Sequence, residues 1–534
     1  MSVINTGIYF KWPDYLVFSL SLVLSAAIGF YYACTGGKQK TTKEYLLADR
    51  NMHWLPVAIS LAVSFTSSGI LIGLPAEIYT FGTIYMFTLV GRPIAAVLSA
   101  KLFIPVFKQI GSISLYQYIY KRFGRVLSII LLVEGFVLTM LFGALIIYGP
   151  ALAMSGVTGL NLWIAVCSVG LIAMLYTVLG GLKAVLWTDT LQFLIMIVGC
   201  IVLLIFGTVK AGGPSEVWRV NKLSGRLDIL EPTKFLSIDP RSRHTLWTQV
   251  CNAILICISA YGASPIAIQR ILALKPGPIN IFLCFTTVLL ITFSFQIICA
   301  AIGLVAFTYY KTCDPVASGV IFSKDQIQPL FTMEIFQNLP GLSGLLMSSV
   351  FSASLSTISS AMNAGAAIIL QEVIKPLKPN MSDQRATVIC KMLSTLTGIV
   401  SILFVIFLRL FGNGLLSVTL ALVGIATGPS VAVFTVGIIF PFVDGRCAVI
   451  GNVIATAFTT WLSFGGLINR PYVYSYPVTT AGCNITDENL LANISSPVYD
   501  PSTWNPQSHY RYNIYIVFSF NNDSLGYNIV IAFF

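Results

Sequence analysis

Residues 60–75 read SLAVSFTSSGILIGLP, a stretch that is apolar at both ends and polar in its middle. The middle carries four hydroxyl side chains and Gly69. The surrounding window, 55–78, is long enough to cross the roughly 30 Å hydrocarbon core of a bilayer as a helix. Hydroxyl groups and a glycine at its centre indicate a break, which would expose backbone carbonyl and amide groups at mid-membrane.

A second stretch of similar character, ISAYGASPIAIQR at 258–270, lies five apolar segments further along the chain. Pro265 removes a helical hydrogen bond and clashes with the preceding turn. Interrupted segments at corresponding places in two halves are typical of transporters built from inverted repeats. The offset of five predicts two inverted five-helix repeats with a binding site at the paired breaks. Kinks that serve helix packing alone remain the alternative.

Charge is scarce throughout the chain. Lysine and arginine number 31, and aspartate and glutamate 20, among 534 residues, whereas about a quarter of an ordinary soluble chain is charged. So little charge could not cover several soluble domains. The net charge of +11 is dispersed rather than clustered, which argues against a nucleic-acid partner. With three histidines and no evident catalytic triad or metal cluster, we predict a membrane protein that is not an enzyme.

Twelve apolar segments have the length of membrane-spanning helices, and the alternating strands of an outer-membrane barrel are not evident. We predict an all-α polytopic membrane protein with spans at 14–34, 55–78, 84–107, 126–149, 158–181, 189–210, 246–268, 279–309, 342–370, 390–409, 416–440 and 447–467.

The loops predict an extracellular N-terminus. One side carries 16 basic residues and the other 6, once the long loop 210–244 is set aside, and basic loops favour the cytosol. The glycosylation sequons at Asn484 and Asn493 then lie outside. Cys313 and Cys483 are the two cysteines in outside loops. They are candidates for a disulfide, with two free thiols as the alternative.

The ninth span contains a cluster of hydroxyl groups. Eight of the thirteen residues at 348–360 are serine or threonine, and Ser352, Ser356 and Ser360 share one helix face at a spacing of four. Neutral oxygens of this kind suit a hard monovalent cation. Small residues that let helices approach closely, with hydroxyls bonded to their own backbone, are the alternative interpretation.

The segment GGLKAVLWTDTLQ at 180–192 resembles the signature of the sodium:solute symporter family. Further motifs of the same family occur in order along the chain, at 75–79 (PAEIY), 148–152 (YGPAL), 313–315 (CDP), 340–342 (PGL), 354–360 (SLSTISS) and 374–376 (IKP). The branch that the chain resembles holds the sodium-dependent multivitamin, sodium-coupled monocarboxylate and sodium/iodide transporters.

The resemblance implies a LeuT-type core of 5+5 inverted repeats, with one extra N-terminal helix and one helix after the core. It also implies a thirteenth span, which the sequence near the C-terminus matches poorly. We therefore divide the chain into an extracellular N-terminus (1–13), the extra N-terminal transmembrane helix (14–34), the ten-helix transporter core (55–440), an additional transmembrane helix (447–467), an extracellular glycosylated loop (468–512) and a defective or truncated final segment (513–534).

The family binds sodium between the first broken helix and the hydroxyl-rich helix. The resemblance assigns sodium, the co-transported ion, to the carbonyls of Val63, Thr66 and Ala353 and the hydroxyls of Ser356 and Thr357. Asp189 matches an acid implicated in sodium passage in the family. A helix N-cap is its alternative role.

The chain departs from iodide- and monocarboxylate-type relatives at several polar positions. Ser264-Pro265 replaces Asn-Gln, Phe142 replaces a tyrosine and Ile70 replaces a glutamine of some relatives. These changes put iodide and a second sodium site in doubt and favour a bulkier, partly apolar substrate. The candidate substrate residues are Ser67, Gly69, Ile70, Phe142, Tyr261 and Ser264.

Arg92 and Lys101 lie within the third predicted span, where an ionisable residue is a functional hypothesis by default. Depth along the helix places Lys101 level with Glu134, and we predict an ion pair between them. Arg92 could extend toward the outer surface or meet a carboxylate substrate.

These observations predict a multi-pass plasma-membrane symporter that couples sodium to the import of a small organic anion, such as a vitamin or monocarboxylate, by alternating access. Its partners are sodium, the anion and the lipid bilayer. The alternatives are a sodium-coupled symporter of an inorganic anion such as iodide, and a non-transporting sensor or channel on the same fold.

Overall fold

The computed structural model describes residues 10–35, 41–110, 114–158, 161–237, 244–321, 323–409, 415–469 and 475–483. Within these ranges the regular secondary structure is helical, apart from an isolated bridge between Met52 and Leu274. The long helices are α1 Trp12–Cys34, α2 Trp54–Phe65, α3 Ser68–Phe81, α4 Thr88–Leu98, α5 Arg125–Thr158, α6 Leu162–Lys210, α7 Leu246–Gly262, α8 Pro265–Ala273, α9 Pro278–Tyr309, α10 Leu342–Ile369, α11 Asp383–Arg409, α12 Leu415–Ile439 and α13 Gly445–Asn469.

Shorter helical segments connect the long ones. They are Thr42–Leu47, Ala48–Arg50, Ile84–Phe87, Ser99–Phe103, Ile104–Ile110, Tyr116–Phe123, Pro214–Leu223, Asp228–Leu230, Pro232–Phe235, Lys324–Gln326, Ile327–Ile335, Leu370–Ile374 and Lys375–Leu377. Two of them, Ser99–Phe103 and Leu370–Ile374, are π-helical turns.

The spans agree with the twelve predicted from the sequence. Nine helices in the described ranges are long and apolar enough to cross a membrane, and two bent pairs raise the number to 11. Helix α6 has 49 residues, about 70 Å at 1.5 Å per residue, which is too long for one crossing. It bends at Gly181, whose φ of 59° and ψ of −161° suit glycine. The two parts of α6 supply the twelfth span.

Helix α10 occupies the centre of the molecule. Inside the protein, 94% of its apolar window is buried, compared with 22–50% for the eight other unbroken spans in the described ranges. Small residues allow this burial: the Gly344 backbone packs on the Asp14 backbone of α1, and Gly199 of α6 leaves room for Ser349. The neighbouring helices α1, α5, α6 and α11 surround α10. Leucine, isoleucine and valine side chains are exposed on the peripheral helices, as expected of a surface that faces lipid.

Candidate functional site

Both broken spans are interrupted at the residues that the sequence indicated. Helix α2 ends at Phe65 because Thr66 leaves helical geometry, and α3 restarts at Ser68. Helices α7 and α8 are separated by Ala263 and Ser264. The axes bend by 58° at the first break and 54° at the second.

The two breaks face each other. The Phe65 ring at the end of α2 meets the Tyr261 ring near the end of α7 edge-on, with centroids 5.8 Å apart. Ser67 and Ser264 are the N-caps of α3 and α8, yet neither hydroxyl caps its helix or bonds to another described residue. Helices α3 and α8 therefore begin at the paired breaks, each with an N-cap hydroxyl that bonds to no other described residue. Helix N-termini favour anions.

Helix α10 meets the first break through its hydroxyl face. The Ser64 and Ser360 Oγ atoms are 2.9 Å apart and share a hydrogen bond. The Thr357 hydroxyl donates to the Ala353 carbonyl at 3.0 Å, which leaves the oxygen lone pairs of Thr357 available. Ser356 is buried as well.

On the α2 side, the backbone around Val63 presents carbonyls toward the break. The Val63 carbonyl accepts the Thr66 amide at 3.0 Å, and the Thr66 hydroxyl donates to the Ala62 carbonyl at 2.9 Å. A carbonyl oxygen has two lone pairs, so Val63 retains one for a further ligand.

Asp189 lies inside α6, eight residues beyond the bend at Gly181. The proposed alternative role as a helix N-cap is therefore wrong. Its buried carboxylate accepts the Ser60 hydroxyl through Oδ2 and lies beside Ser356. Ser356 is the neighbour of this carboxylate on α10 and forms a hydrogen bond with it.

Arg270 is the residue near the breaks that the sequence did not predict. The predicted span 246–268 ends two residues before it, yet its side chain is 0% exposed. The guanidinium donates to Ser60 Oγ at 2.8 Å and Asp189 Oδ2 at 3.3 Å, and also to the Ser360 hydroxyl. The available signal was an arginine at the end of a broken apolar segment. We call Ser60, Asp189, Arg270 and Ser360 the buried ionic cluster.

The oxygens at the break suit a monovalent cation. The described residues contain no group of three or more histidine, cysteine or acidic side chains that could hold a metal ion. Instead, the buried Ser356 hydroxyl lies beside the buried Asp189 carboxylate, near the carbonyls and hydroxyls described above. Few charges and several neutral oxygens match the preference of a hard ion of low charge.

The candidate substrate residues divide between two walls. Ser67, Gly69 and Ile70 form the start of α3, and Ile70 and Phe142 pack on the apolar cluster around α3 and α5. Tyr261 belongs to a second apolar cluster that includes α4. The predicted residues therefore lie on both sides of the breaks, with no described contact between Phe142 and Tyr261.

The predicted ion pair between Lys101 and Glu134 is wrong. The Glu134 carboxylate accepts hydrogen bonds from Asn452 Nδ2 at 3.2 and 3.3 Å and from the Thr456 hydroxyl at 3.2 Å. Lys101 is exposed on the π-turn after α4 and forms no described ion pair. Lys101 and Glu134 lie at similar depths along their helices. The rotation of the helix nevertheless directs the Lys101 side chain away from Glu134.

A short segment, 475–483, which we call the strap, lies against the end of α3 and the residues beyond α9. A disulfide joins its Cys483 to Cys313 beyond α9. The Tyr476 amide donates to the Thr80 carbonyl of α3 at 3.1 Å, and its hydroxyl donates to Asp228 at 3.0 Å. Burial raises the pKa of the Asp228 carboxyl. The predicted sequon asparagines, Asn484 and Asn493, lie outside the described residues.

A model of the sodium:solute symporter family matches residues 45–455, more than half of the chain. The chain belongs to the sodium:solute symporter family. It is 36% identical over 501 residues to "Sodium-coupled monocarboxylate transporter 1" of Xenopus laevis, covering 92% of this chain and 78% of that protein. The family is one of sodium-coupled transporters, so sodium is the coupled ion, and these relatives are named as transporters rather than enzymes.

Two other branches match almost equally well. The "Putative sodium-dependent multivitamin transporter" of Drosophila melanogaster is 35% identical, covering 88% of this chain and 78% of that protein. The human "Sodium/iodide cotransporter" is 33% identical, covering 94% and 78%. Such similar identities do not single out one substrate class.

The fold also has a solved counterpart. A Na+-coupled sialic acid symporter in a substrate-bound outward-open state superposes with a TM-score of 0.75 at 22% identity, covering 85% of this chain and 93% of that one. The predicted LeuT-type fold is thus confirmed.

Proposed function

We propose that the protein imports a small organic anion across the plasma membrane by alternating access, coupled to inward sodium movement. The N-terminus and the strap lie outside the cell in this proposal. The basic loops on the opposite side support that orientation, as does the disulfide between Cys313 and Cys483, because disulfides persist in oxidising compartments.

The observation that carries the proposal is the contact of the hydroxyl face of α10 with the first break, where Ser64 and Ser360 share a hydrogen bond of 2.9 Å and the Thr357 oxygen keeps lone pairs available. Buried oxygens are stabilised by a ligand that uses those lone pairs. A sodium ion ligated by Ser356, Thr357 and the carbonyls of Val63, Thr66 and Ala353 would satisfy oxygens at this position. It would also hold α10 against the broken span, since its ligands come from both.

Sodium binding would thereby organise the substrate site. The ion fixes the end of α2, and the position of that end determines where α3 begins. Substrate would bind near Ser67 and Ser264, with its anionic group toward a helix N-terminus. The apolar side chains Ile70 and Phe142 favour an organic anion over an inorganic one.

The membrane potential supplies a driving force for this transport. Moving one elementary charge through 100 mV releases about 2.3 kcal/mol, which corresponds to roughly 50-fold accumulation. The sodium concentration gradient adds to this value. Asp189 bonds to Ser60 of α2, whereas the strap bonds to Thr80 near the far end of α3. In this proposal Asp189 therefore guides sodium toward the cytosol.

Uptake of labelled lactate, biotin and iodide tests the proposal. Cells that express the chain are assayed in sodium and in choline, with surface labelling to correct for expression. We expect sodium-dependent uptake of at least one organic anion and a weaker response to iodide. Uptake of iodide alone would support the inorganic-anion alternative, and no sodium-dependent uptake at equal surface expression would refute symport.

The sodium ligands are tested separately with Ser356→Ala combined with Thr357→Ala. We expect the sodium concentration for half-maximal uptake to rise about 10- to 100-fold, as each lost oxygen contacts a charged ion. Ser348→Ala is the matched control, because Ser348 is buried on α10 two turns away and bonds only to the Leu345 carbonyl. Equal sodium dependence in the double variant and the control would rule out this site.

A further inference from the structure

Arg92 lies on the side of α4 that faces the interior of the protein. Val90, Ile94 and Val97 are 50%, 44% and 52% exposed and form the lipid-facing stripe of this helix. Arg92 is half-buried and lies on the opposite side with the buried Gly91 and Ala95. It therefore does not extend along the lipid surface.

The neighbours of Arg92 carry no negative charge. Its guanidinium interacts with the Tyr261 hydroxyl and lies near Tyr85 and Cys257, and the described chain offers it no aspartate or glutamate. Arg270, by contrast, is paired with Asp189. An ionised group inside a membrane span is costly unless it is paired, so Arg92 is left without a counter-ion.

Arg92 is close to the paired breaks. Its partner Tyr261 is one residue before the end of α7, and the Tyr261 ring contacts Phe65 at the end of α2. The guanidinium therefore approaches the place where the two broken spans meet, on the wall formed by α4 and α7.

Packing between α4 and α7 does not depend on Arg92. The close approach is made by Gly91, where an added Cβ would lie 2.7 Å from the Ala253 Cβ. Helix packing at this contact requires only small residues. It therefore does not explain why a charged residue lies next to the contact.

We infer that Arg92 binds the carboxylate of the transported anion, with the Tyr261 hydroxyl as a second donor. The inference rests on the proposed function and specifies its substrate as a carboxylate. Arginine is suited to this role because its planar group donates two parallel hydrogen bonds to a carboxylate. The bound substrate would supply the counter-ion that the protein lacks.

Kinetics of Arg92→Gln test the inference. Labelled lactate and labelled biotin are the transported probes, and lactamide and biotinamide, which lack the carboxylate, are competitors. The wild type should be inhibited by unlabelled lactate or biotin and not by the amides. In R92Q we expect the KM for the carboxylates to rise about 30-fold or more and the preference over the amides to disappear.

Lys101→Gln is the matched control, since it removes the same charge from the same span at an exposed position. Its KM should equal that of the wild type, and an equal rise in K101Q would overturn the inference. Unchanged KM and preference in R92Q would also overturn it. If R92Q does not reach the surface, Arg92→Lys replaces it. That variant keeps the charge but loses the paired donors, so wild-type KM in R92K would count against the inference.

The proposed function and this inference fail differently. Without sodium-driven uptake of any carboxylate in the wild type, both are refuted. With such uptake and unaltered kinetics in the Arg92 variants, only the assignment of Arg92 is refuted.

Discussion

The buried ionic cluster gives the sharpest prediction about stability. Asp189 and Arg270 are both 0% exposed, with 3.3 Å between Asp189 Oδ2 and Arg270 Nη2. Asp189→Asn leaves the guanidinium without a carboxylate, and Arg270→Gln leaves the carboxylate without a cation. We predict that either substitution lowers the free energy of unfolding by about 3–5 kcal/mol, the usual cost of leaving one buried charge unpaired.

The double variant separates the interaction from the loss of each side chain. Asp189→Asn with Arg270→Gln removes both charges and leaves amide groups that can bond to the hydroxyls of Ser60 and Ser360. We expect it to be more stable than either single variant, with a coupling free energy of about 2–3 kcal/mol, in the upper range for groups in direct contact.

Thermal unfolding of the purified protein in detergent measures this order, and sodium-dependent uptake measures function in the same variants. The expected ranking of midpoints is wild type, double variant, then the single variants. Uptake should stay low in the double variant, because the proposed sodium path loses the negative charge of Asp189. Additive losses in the double variant, or single variants with wild-type midpoints, would refute the reasoning.

Three further predictions concern parts of the fold away from the site. Cys313→Ser should lower the thermal midpoint, and reductant should reproduce the loss. The lost free energy of unfolding is at most about 5 kcal/mol for a closed loop of 170 residues. An unchanged midpoint would contradict this prediction. Gly181→Ala should lower the free energy of unfolding by about 1–3 kcal/mol, because the backbone conformation of Gly181 disfavours a side chain. Thermal unfolding measures this loss, and wild-type stability would count against the bend. Glu134→Ala should lower the free energy of unfolding by about 1–3 kcal/mol, because it leaves the Asn452 amide unpaired. Lys101→Gln should change it little. Equal losses in the two variants would disprove the pairing of Glu134 with Asn452.

The breaks could be predicted from sequence because their causes are local. Gly69, Pro265 and the hydroxyls around them weaken a helix wherever they stand, and an apolar window fixes each span to the membrane. The bend at Gly181 follows from length in the same way. These features need no knowledge of the neighbouring helices.

The buried ionic cluster and the Lys101 position could not be predicted in this way. Asp189 and Arg270 are 81 residues apart, so their contact depends on how α6 and α8 are rotated in the bundle. The π-turn at Ser99–Phe103 shifts the helix face that follows α4. The depth of a residue in the membrane fixes its position along the bilayer normal. It does not fix the direction in which the side chain points.

The strap changes how the chain is connected. Its disulfide joins the residue after α9 to the segment beyond α13, so helices α10 to α13 form part of a closed covalent ring. A backbone cut within that ring would leave one molecule instead of two fragments. The two ends of the ring stay together whatever rearrangement the hydroxyl-rich helix undergoes within it.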